Sequence, residues 1–303
     1  MFKKLTHQAA IVFIVFSSVA AIAADFDPVS KPIKVIIPYA VGGGTSNLLT
    51  VIQQYAIKSN ITLVPEFRPG ASATIGIDAA VAQPPDGYTV LITGTDDVLN
   101  TSIPHKFTTD DLYPVTAIAK NVLLLVSSKT SKVTSLNQLT HIMKADPRKL
   151  SWGVASPSFA AATNTLAHNA GMSDSVFTVP FNGAGPVLRY IISGHVDLAL
   201  LPGSVVKSAV DSGLVNVIAE ISDPGQTKVN VAGATQRVNS NNNGYSMFIS
   251  ANAPTNVKLF WEEFMSGFAT NRAAQTQLQA MYMSTMPSGH TYVKHILSKA
   301  LNE

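Results

Sequence analysis

The sequence predicts an α/β protein of two lobes, with mainly parallel sheets and two crossings of the chain between the lobes. Short apolar, β-branched segments alternate with longer amphipathic segments, as in repeated strand–helix units. The middle strand candidates, such as Val196–Leu201, are apolar at both odd and even positions, which is typical of strands covered by helices on both faces. A length of 303 residues suits two domains of ordinary size.

The individual elements follow from the same alternation. The predicted strands are Lys34–Ala40, Ile61–Phe67, Tyr88–Thr93, Val115–Val126, Leu150–Val154, Val176–Phe181, Val196–Leu201, Val215–Ile221 and Tyr245–Ala251. The predicted helices are Ser46–Ile57, Ser72–Ala82, Leu136–Lys144, Phe159–Asn169, Pro186–Ser193, Ser204–Ser212, Asn256–Ala269, Ala274–Met283 and Thr291–Leu301.

Two segments are predicted to carry the chain between the lobes. Val115–Ser128 is long enough to span roughly 40 Å at the usual rise per strand residue. A second crossing is predicted at Tyr245–Ala251, after the polar loop Asn239–Gly244. The first lobe would then comprise residues 25–123 and 246–303, and the second would comprise residues 124–245.

The first residues have the features of a cleavable secretory signal. Lys3 and Lys4 precede an apolar run, and Ala21-Ile22-Ala23 fits the small-x-small rule for signal peptidase. The run is short for a transmembrane span, and a retained membrane anchor is the alternative. Residues 1–24 are therefore predicted to be removed on export to the periplasm.

The composition excludes several classes of function. The chain has no cysteine, which rules out disulfides and thiol catalysis. Its 21 basic and 18 acidic residues nearly balance once Lys3 and Lys4 are removed, and no basic cluster contains interleaved aromatics, so nucleic acid is not an expected partner. The sequence lacks the Gly-x-Ser-x-Gly and His-Glu-x-x-His motifs. We expect no catalytic residues, no metal and no cofactor.

The loop at 38–47 is the leading candidate for a binding site. Its consecutive glycines, Gly42–Gly44, let a ligand approach the backbone. The helix that follows offers N–H groups and a positive dipole end, which suit an anion. A plain tight turn capped by Thr45 or Ser46 is the alternative. The loop matches neither a phosphate-binding P-loop nor a dinucleotide fingerprint.

Three further loops place turn and capping residues before a predicted helix. In the loop at 68–76, Ser72 can cap the helix, and Arg68 either clamps a carboxylate or braces the turn from the surface, the reading we favour. The loops at 155–159 and 180–186 repeat the arrangement in the second lobe. Two facing lobes that each present helix N-termini would enclose a small anion.

Several motifs occur in the order and spacing of a known family. They are Lys31–Ile33, Pro38–Ser46, Arg68–Ala71, Ile75-Gly76, Pro85–Thr89, Val179–Pro186 and Gly194–Leu198. The chain therefore resembles the Bug family, the extracytoplasmic solute receptors of tripartite tricarboxylate transporters, over nearly the whole mature sequence. The resemblance implies a type II periplasmic binding protein fold that closes on its ligand by a hinge, and a receptor rather than an enzyme.

The resemblance also implies a ligand and a partner. The ligand would be a small carboxylate, such as a di- or tricarboxylate, an aromatic acid or an amino acid, held by backbone amides and bound waters. The partner would be the membrane permease, with the receptor itself a monomer. The positions that correspond to the family's ligand-binding loops include Tyr39, Gly43, Gly44, Thr45, Ser46, Ala71, Ser72, Thr74, Thr95, Ser156, Ser158, Asn182, Gly183 and Ala184.

Some positions depart from the family pattern. Ser46 stands where the family commonly has Asp, segment 72–74 replaces Gly-Gly-Asn, Phe159 replaces His, and Leu201 replaces Asp. The lost acids argue against recognition of a cationic group at the mouth of the cleft. The added bulk at Ala73 and Phe159 predicts a smaller or differently shaped pocket.

Two other functions could use the same cleft. A sensor subunit would bind a solute and contact the outer domain of a membrane receptor, which sequence does not distinguish from transport. A periplasmic hydrolase or isomerase would need a nucleophile–base pair, and the sequence offers no evident one.

The predicted export has a direct test. We expect the protein recovered from the periplasm to begin at Ala24 or Asp25, because signal peptidase cleaves after small residues. Intact-mass spectrometry of the periplasmic fraction measures the new N-terminus. Ala23→Leu should slow this processing, whereas Ala10→Leu, inside the apolar run, should not. Recovery of the uncleaved chain as the soluble periplasmic form would contradict the prediction.

Overall fold

A computed structural model describes residues 26–99, 103–172, 176–221, 227–231, 234–238, 244–286 and 289–302. The predicted signal at 1–24 and residues 239–243 of the predicted loop lie outside this part of the chain. The strands are β1 (Ile33–Ile37), β2 (Leu63–Phe67), β3 (Thr89–Gly94), β4 (Leu112–Asn121), β5 (Leu123–Ser128), β6 (Ser151–Val154), β7 (Phe177–Pro180), β8 (Leu198–Pro202), β9 (Val215–Ile221), β10 (Thr227–Val231), β11 (Ala234–Val238), β12 (Gly244–Ser250) and β13 (Met283–Thr285). The helices are α1 (Gly44–Ala56), α2 (Thr74–Val81), α3 (Leu136–Ala145), α4 (Pro157–Asn169), α5 (Ala184–Ile192), α6 (Gly203–Asp211), α7 (Thr255–Thr270), α8 (Arg272–Ala280) and α9 (His290–Asn302).

The strands form two larger sheets and a hairpin. The first sheet has the order β13-β4-β12-β3-β1-β2, the second has the order β7-β6-β8-β5-β9, and β10 pairs with β11. The first sheet with α1, α2 and α7–α9 is termed the first lobe, and the second sheet with α3–α6 the second lobe. The two-lobe α/β fold is confirmed, and each predicted strand or helix overlaps an element of that type, although the helix predicted at Ala274–Met283 ends at Ala280. The strands β10, β11 and β13 were not predicted.

Both sheets are mixed, so the expectation of mainly parallel sheets is wrong. β1 runs parallel to β2 and β3, and β6 runs parallel to β7 and β8. In contrast, β12 is antiparallel to β3 and β4, and β5 is antiparallel to β8 and β9. β5 and β12 are the first strands of their sheets after the chain arrives from the other lobe. They therefore enter from the end at which their parallel neighbours finish.

Alternate residues of a strand serve the two faces of each sheet. In β1, Val35 and Ile37 pack in the core formed with α1, α7 and α8, whereas Ile36 packs in the core formed with α2 and α9. In β5, Leu125 packs with α3 and α4, and Leu124 packs with α5 and α6. This double-sided burial is the reason why both parities of these strands are apolar.

The first crossing between the lobes divides at Val122. β4 ends at Asn121 in the first sheet, and β5 begins at Leu123 in the second. Between them, the Val122 N–H donates to the Tyr282 carbonyl (2.9 Å), and the Val122 carbonyl accepts from the Gly203 N–H (2.8 Å). The single strand predicted at 115–126 is thus two strands, because the backbone groups of Val122 are satisfied outside either ladder.

The second crossing comes earlier than predicted. β12 pairs with β3 and β4 from Gly244 to Ser250 and so lies within the first sheet. The predicted crossing at Tyr245–Ala251 is therefore misplaced: β10 and β11 still contact β9 and α4 of the second lobe, and the chain crosses between Val238, the end of β11, and Gly244. The predicted lobe boundaries at 123/124 and 245/246 stay predictions. Within the described residues, every helix is too short or too polar to cross a membrane.

Trp261 on α7 is a test of the first lobe's core. Its side chain is fully buried, and its indole N–H donates to the Gly87 carbonyl at 3.2 Å. We expect Trp261→Ala to lower the free energy of unfolding by about 3–5 kcal/mol, since it opens a cavity and leaves that carbonyl unpaired. The control is Leu259→Ala on the same helix, where the side chain is 57% exposed and the expected change is within about 0.5 kcal/mol. Urea unfolding would measure both, and equal effects would contradict the assignment.

Candidate functional site

A cleft between the two lobes collects the starts of several helices. Its empty space, counted together with the solvent-open mouth, is about 560 Å³. Its lining includes residues at the starts of α1, α4, α5 and α6. Its lining residues are Tyr39, Gly43, Gly44, Thr45, Gly94, Asp97, Asn121, Ala155, Ser156, Phe159, Gly183, Ala184, Pro202, Gly244 and Tyr245.

The start of α1 has no side-chain cap. Gly43 is the N-cap residue, and the N–H groups of Ser46 and Asn47 both donate to the Gly43 carbonyl. The predicted alternative, a cap by Thr45 or Ser46, does not form, because the Ser46 hydroxyl instead accepts from the Gly42 N–H at 3.3 Å. The positive end of the α1 dipole therefore faces the cleft without a side-chain acceptor.

The second lobe presents the same arrangement in three helices. The N-cap residues of α4, α5 and α6 are Ser156, Gly183 and Pro202, and none makes a side-chain cap hydrogen bond. All three residues line the cleft. The N-termini of helices from both lobes thus converge on one space, which favours an anion there.

The charged groups of the cleft differ from those of a simple anion site. Within the described part of the chain, the lining residues include no Lys, Arg or His and one acid, Asp97, which is 4% exposed. Asp97 Oδ2 accepts hydrogen bonds from the hydroxyls of Tyr39 and Thr93. Burial raises the pKa of Asp97 to about 6, although hydrogen bonds from Tyr39, Thr93 and the Gly94 backbone oppose the shift.

Tyr39 belongs to the same cluster. Its hydroxyl accepts from the Gly94 N–H at 2.7 Å and contacts the Thr93 hydroxyl at 3.0 Å. Burial, and then the charge of Asp97, raise the pKa of Tyr39 well above its usual value. The Tyr39 hydroxyl is therefore a neutral donor to Asp97 at physiological pH.

A second polar cluster lies beside the first crossing. Burial raises the pKa of Tyr245 to about 12, and its hydroxyl makes hydrogen bonds with the side chains of Asn121 and Thr45. Asn121 Oδ1 accepts from the Ser204 hydroxyl at 3.2 Å, and Asn47 Nδ2 donates to the Ser204 carbonyl at 2.7 Å. Because Ser204 lies on α6, this cluster joins the first lobe to the second.

The lobes also touch across the cleft. The Ala40 N–H donates to the Asn182 carbonyl at 3.3 Å. A β-carbon placed on Gly185 would lie 3.0 Å from the Val41 carbonyl oxygen and 3.2 Å from the Gly42 backbone. The structure is therefore a closed arrangement in which backbone packs against backbone.

The structure brings about half of the predicted ligand-binding residues to the cleft. Those lining it are Tyr39, Gly43, Gly44, Thr45, Ser156, Gly183 and Ala184. Ser72 and Asn182 line an adjoining hollow of about 990 Å³, which also includes Tyr39, Ser156 and Gly183.

The remaining predicted residues line neither space among the described residues. Thr74 donates its hydroxyl to the Ala71 carbonyl at 2.7 Å. The Thr95 hydroxyl contacts that of Ser246 at 2.7 Å and donates to the Gly244 carbonyl at 3.2 Å. Ser46 and Ala71 complete this group. The Ser158 side chain lies outside the described part of the chain.

The loop before α2 adopts a strained backbone beside the adjoining hollow. Ala71, Ser72 and Ala73 have φ values of 43°, 53° and 78°, in the left-handed region that costs a residue with a β-carbon about 1–2 kcal/mol. Strain of this kind concentrates at functional sites. Arg68, in contrast, pairs with Glu66 at 2.6 Å and is 55% exposed, so it braces the surface as favoured from sequence.

Sequence reasoning missed several residues of the cleft. Asp97, Asn121 and Tyr245 line it, but none is among the residues predicted from sequence. Asp97 had a detectable signal, since it follows the end of β3, where parallel strands place ligand sites. Asn121 and Tyr245 had no such signal in the sequence, because they reach the cleft only through the way in which the chain passes between the two lobes.

Comparison with known proteins places this cleft in a family. The model of the tripartite tricarboxylate transporter family receptor, TctC, matches residues 50–260. The chain belongs to this family. Its members are periplasmic solute-binding receptors, not enzymes. The predicted resemblance is thereby confirmed.

Relatives and solved structures agree with the family. The chain is 28% identical to protein BugT of Bordetella pertussis over 71% of its length and 68% of BugT. It is 28% identical to the UPF0065 protein in the tcbD-tcbE intergenic region of a Pseudomonas species, over 56% of its length and 52% of that protein. The structure of Rhodopseudomonas palustris Rpa4515 with adipate is similar with a TM-score of 0.78 and 19% sequence identity. The match covers 91% of this chain and 97% of Rpa4515. MatC from the same species, with bound malate, is similar with a TM-score of 0.73 and 20% sequence identity. The match covers 88% of this chain and 97% of MatC. These structural likenesses establish the fold of this TctC-family receptor.

Gly185 tests whether close backbone packing sets the closed arrangement. We expect Gly185→Ala to separate the lobes, because overpacking of a tight contact costs about 1–3 kcal/mol, whereas alanine favours the helix in which it would stand. Small-angle X-ray scattering should give a larger radius of gyration than the parent.

The matched control is Gly43→Ala. A β-carbon there would lie 3.6 Å from the Ala40 carbonyl oxygen, an ordinary contact, so the radius of gyration should stay unchanged. An identical scattering profile for Gly185→Ala would show that this contact does not limit closure.

Proposed function

We propose that the protein captures a small carboxylate between its lobes and delivers it to the permease of a tripartite tricarboxylate-type transporter. It would act in the periplasm as a monomer after removal of residues 1–24. The moving bodies would be residues 25–123 with 246–303 and residues 124–245. The observation that carries the proposal is the convergence of uncapped helix starts from both lobes on one cleft.

The ligand would be held mainly by backbone. N–H groups at Gly44 and Thr45 on one side, and at Ala184 on the other, would donate to its carboxylate, as the positions of these residues in the lining support. The Gly183 N–H is already bonded to the Ala155 carbonyl at 3.0 Å. A charge-assisted hydrogen bond contributes roughly 1.5–3 kcal/mol. Four or five such bonds, from these N–H groups and from bound waters, less the cost of association, could reach the roughly −8 kcal/mol of micromolar binding.

The structural neighbours indicate the chemical class of the ligand rather than its identity. Two structural neighbours of this chain contain adipate and malate. Both are dicarboxylates, which supports a search that starts with such acids and extends to tricarboxylates, aromatic acids and amino acids. The bulk of Phe159 in the lining favours small members of each class.

Closure of the lobes gives the receptor a signal for its permease. In the closed arrangement Asn182 reaches Ala40, and Ser204 reaches Asn47. A ligand that joins the helix starts of both lobes would favour this arrangement over an open one. We infer that the permease distinguishes the two arrangements by the surface that closure assembles.

The proposal predicts stabilisation by acids. At a hundredfold excess over the dissociation constant, a bound acid adds about 2.7 kcal/mol, equivalent to several degrees in melting temperature for a chain of this size. Scanning fluorimetry of the mature protein would use succinate, malate, adipate, citrate, benzoate, glutamate and leucine as probes, with succinamide as the uncharged control. Stabilisation by at least one acid and not by succinamide is expected. A flat response to every acid would count against the proposal.

A further inference from the structure

The cleft contains an acid that an anion site does not need. Asp97 lies among the lining residues and is 4% exposed, and none of the described residues that line the cleft with it is cationic. A buried carboxylate without a cation is unfavourable. It would also repel any second carboxylate of a ligand placed against it.

The hydrogen bonds that Asp97 accepts do not neutralise its negative charge. The donors are the hydroxyls of Tyr39 and Thr93, which both reach Oδ2, and the Gly94 backbone N–H. All three donors are neutral. The pKa of about 6 keeps most of the Asp97 side chain ionised at neutral pH. The other titratable groups of the lining, Tyr39 and Tyr245, have raised pKa values and stay neutral there.

We propose that Asp97 binds an ammonium group of the ligand, so that this receptor selects a small zwitterion, a carboxylate that also carries a protonated amine. The carboxylate would meet the helix starts at Gly44 and Ala184, and the amine would meet Asp97. A single molecule would then satisfy the positive helix ends and the buried negative charge. The apolar remainder would contact Ala155 and Phe159, which line the same space.

This inference rests on the proposed function and revises one expectation. The loss of acids at the mouth, at Ser46 and Leu201, had argued against recognition of a cationic group. Asp97 supplies an acid at a different position, immediately after β3. Leu201 is fully buried in the second lobe, so it leaves that position apolar.

Matched pairs of probes test the proposal. Each pair consists of an amino acid and the acid that lacks only the amine: aspartate with succinate, glutamate with glutarate, leucine with 4-methylpentanoate, and phenylalanine with 3-phenylpropionate. Calorimetry on the mature protein at pH 7.5 should give at least one amino acid that binds tenfold or more tightly than its partner.

The variant Asp97→Asn tests the role of the side chain. It should weaken the binding of that amino acid about tenfold to a hundredfold, the usual range for a charge-assisted hydrogen bond. The binding of the partner acid should be unchanged or tighter.

Control variants separate charge from folding. Asp211→Asn removes the same charge from the exposed end of α6, where Asp211 is 57% exposed and pairs with Lys207, and should retain the preference for the amine. Asp97→Ser carries the same expectation as Asp97→Asn and repeats the test with a smaller side chain. Circular dichroism would verify that each variant is folded.

The outcomes distinguish this inference from the proposed function. If acids bind the parent protein as tightly as their amino acid partners, or if Asp97→Asn keeps the preference, the zwitterion assignment is wrong while the carboxylate receptor stands. If no acid of either kind binds, both proposals fail.

Discussion

The N–H groups at the start of a helix need hydrogen-bond acceptors, and at α1, α4, α5 and α6 no N-cap side chain supplies one. Their positive ends share one cleft and therefore repel one another as the lobes approach. An anion between them removes the repulsion and supplies the acceptors. Much of the remaining architecture can be understood as a means of bringing these helix ends together.

The mixed sheets follow from this requirement. Helices that start at the cleft must follow strands that end there, which holds for β1 before α1, β6 before α4, β7 before α5 and β8 before α6. A chain that crosses from one lobe to the other arrives at that same end, so β5 and β12 run in the opposite direction. Two lobes linked near their ligand site therefore need antiparallel strands next to parallel ones.

The crossing itself is part of the cleft. Asn121, the last residue of β4, makes hydrogen bonds with Tyr245 and Ser204. These three residues come from β4, β12 and α6, which the chain brings together only at the link between the lobes. A change in the angle between the lobes would alter this cluster and the lining of the cleft together. Ligand binding and lobe movement would thus be coupled through shared residues.

Sequence could predict the elements and the α1 loop because both depend on local signals. Apolar periodicity located the strands and helices, and the glycines at 42–44 located a helix start open to a ligand. Strand direction could not be predicted, because it depends on which lobe the chain has come from. The break at Val122 depends on Tyr282 and Gly203, residues far away in the chain, so an unbroken apolar run did not show it.

The same distinction explains the mixed success at the site. Residues adjacent to helix starts, such as Gly44 and Ala184, were recognisable from the turn that precedes each helix. Thr95 follows a strand as Asp97 does, but its hydroxyl contacts Ser246 on β12, while Asp97 lies in the cleft. Which of these two polar residues faces the cleft depends on the short helical turn at Thr95–Leu99, which contains both. The apolar periodicity of the sequence does not show which of the two residues points into the cleft.

Affinity and selectivity can then have separate origins in one cleft. Helix starts would act through backbone N–H groups, which every residue except proline retains, so the attraction for a carboxylate would tolerate most substitutions. Asp97 acts through its side chain, and its replacement would alter which second group the ligand must carry. Loss of the acid expected at Ser46 and the presence of one at Asp97 would then move the point of recognition from the α1 loop to the loop after β3. Backbone N–H groups would bind the carboxylate that the family's ligands share, and the buried Asp97 side chain would set the selectivity among those ligands.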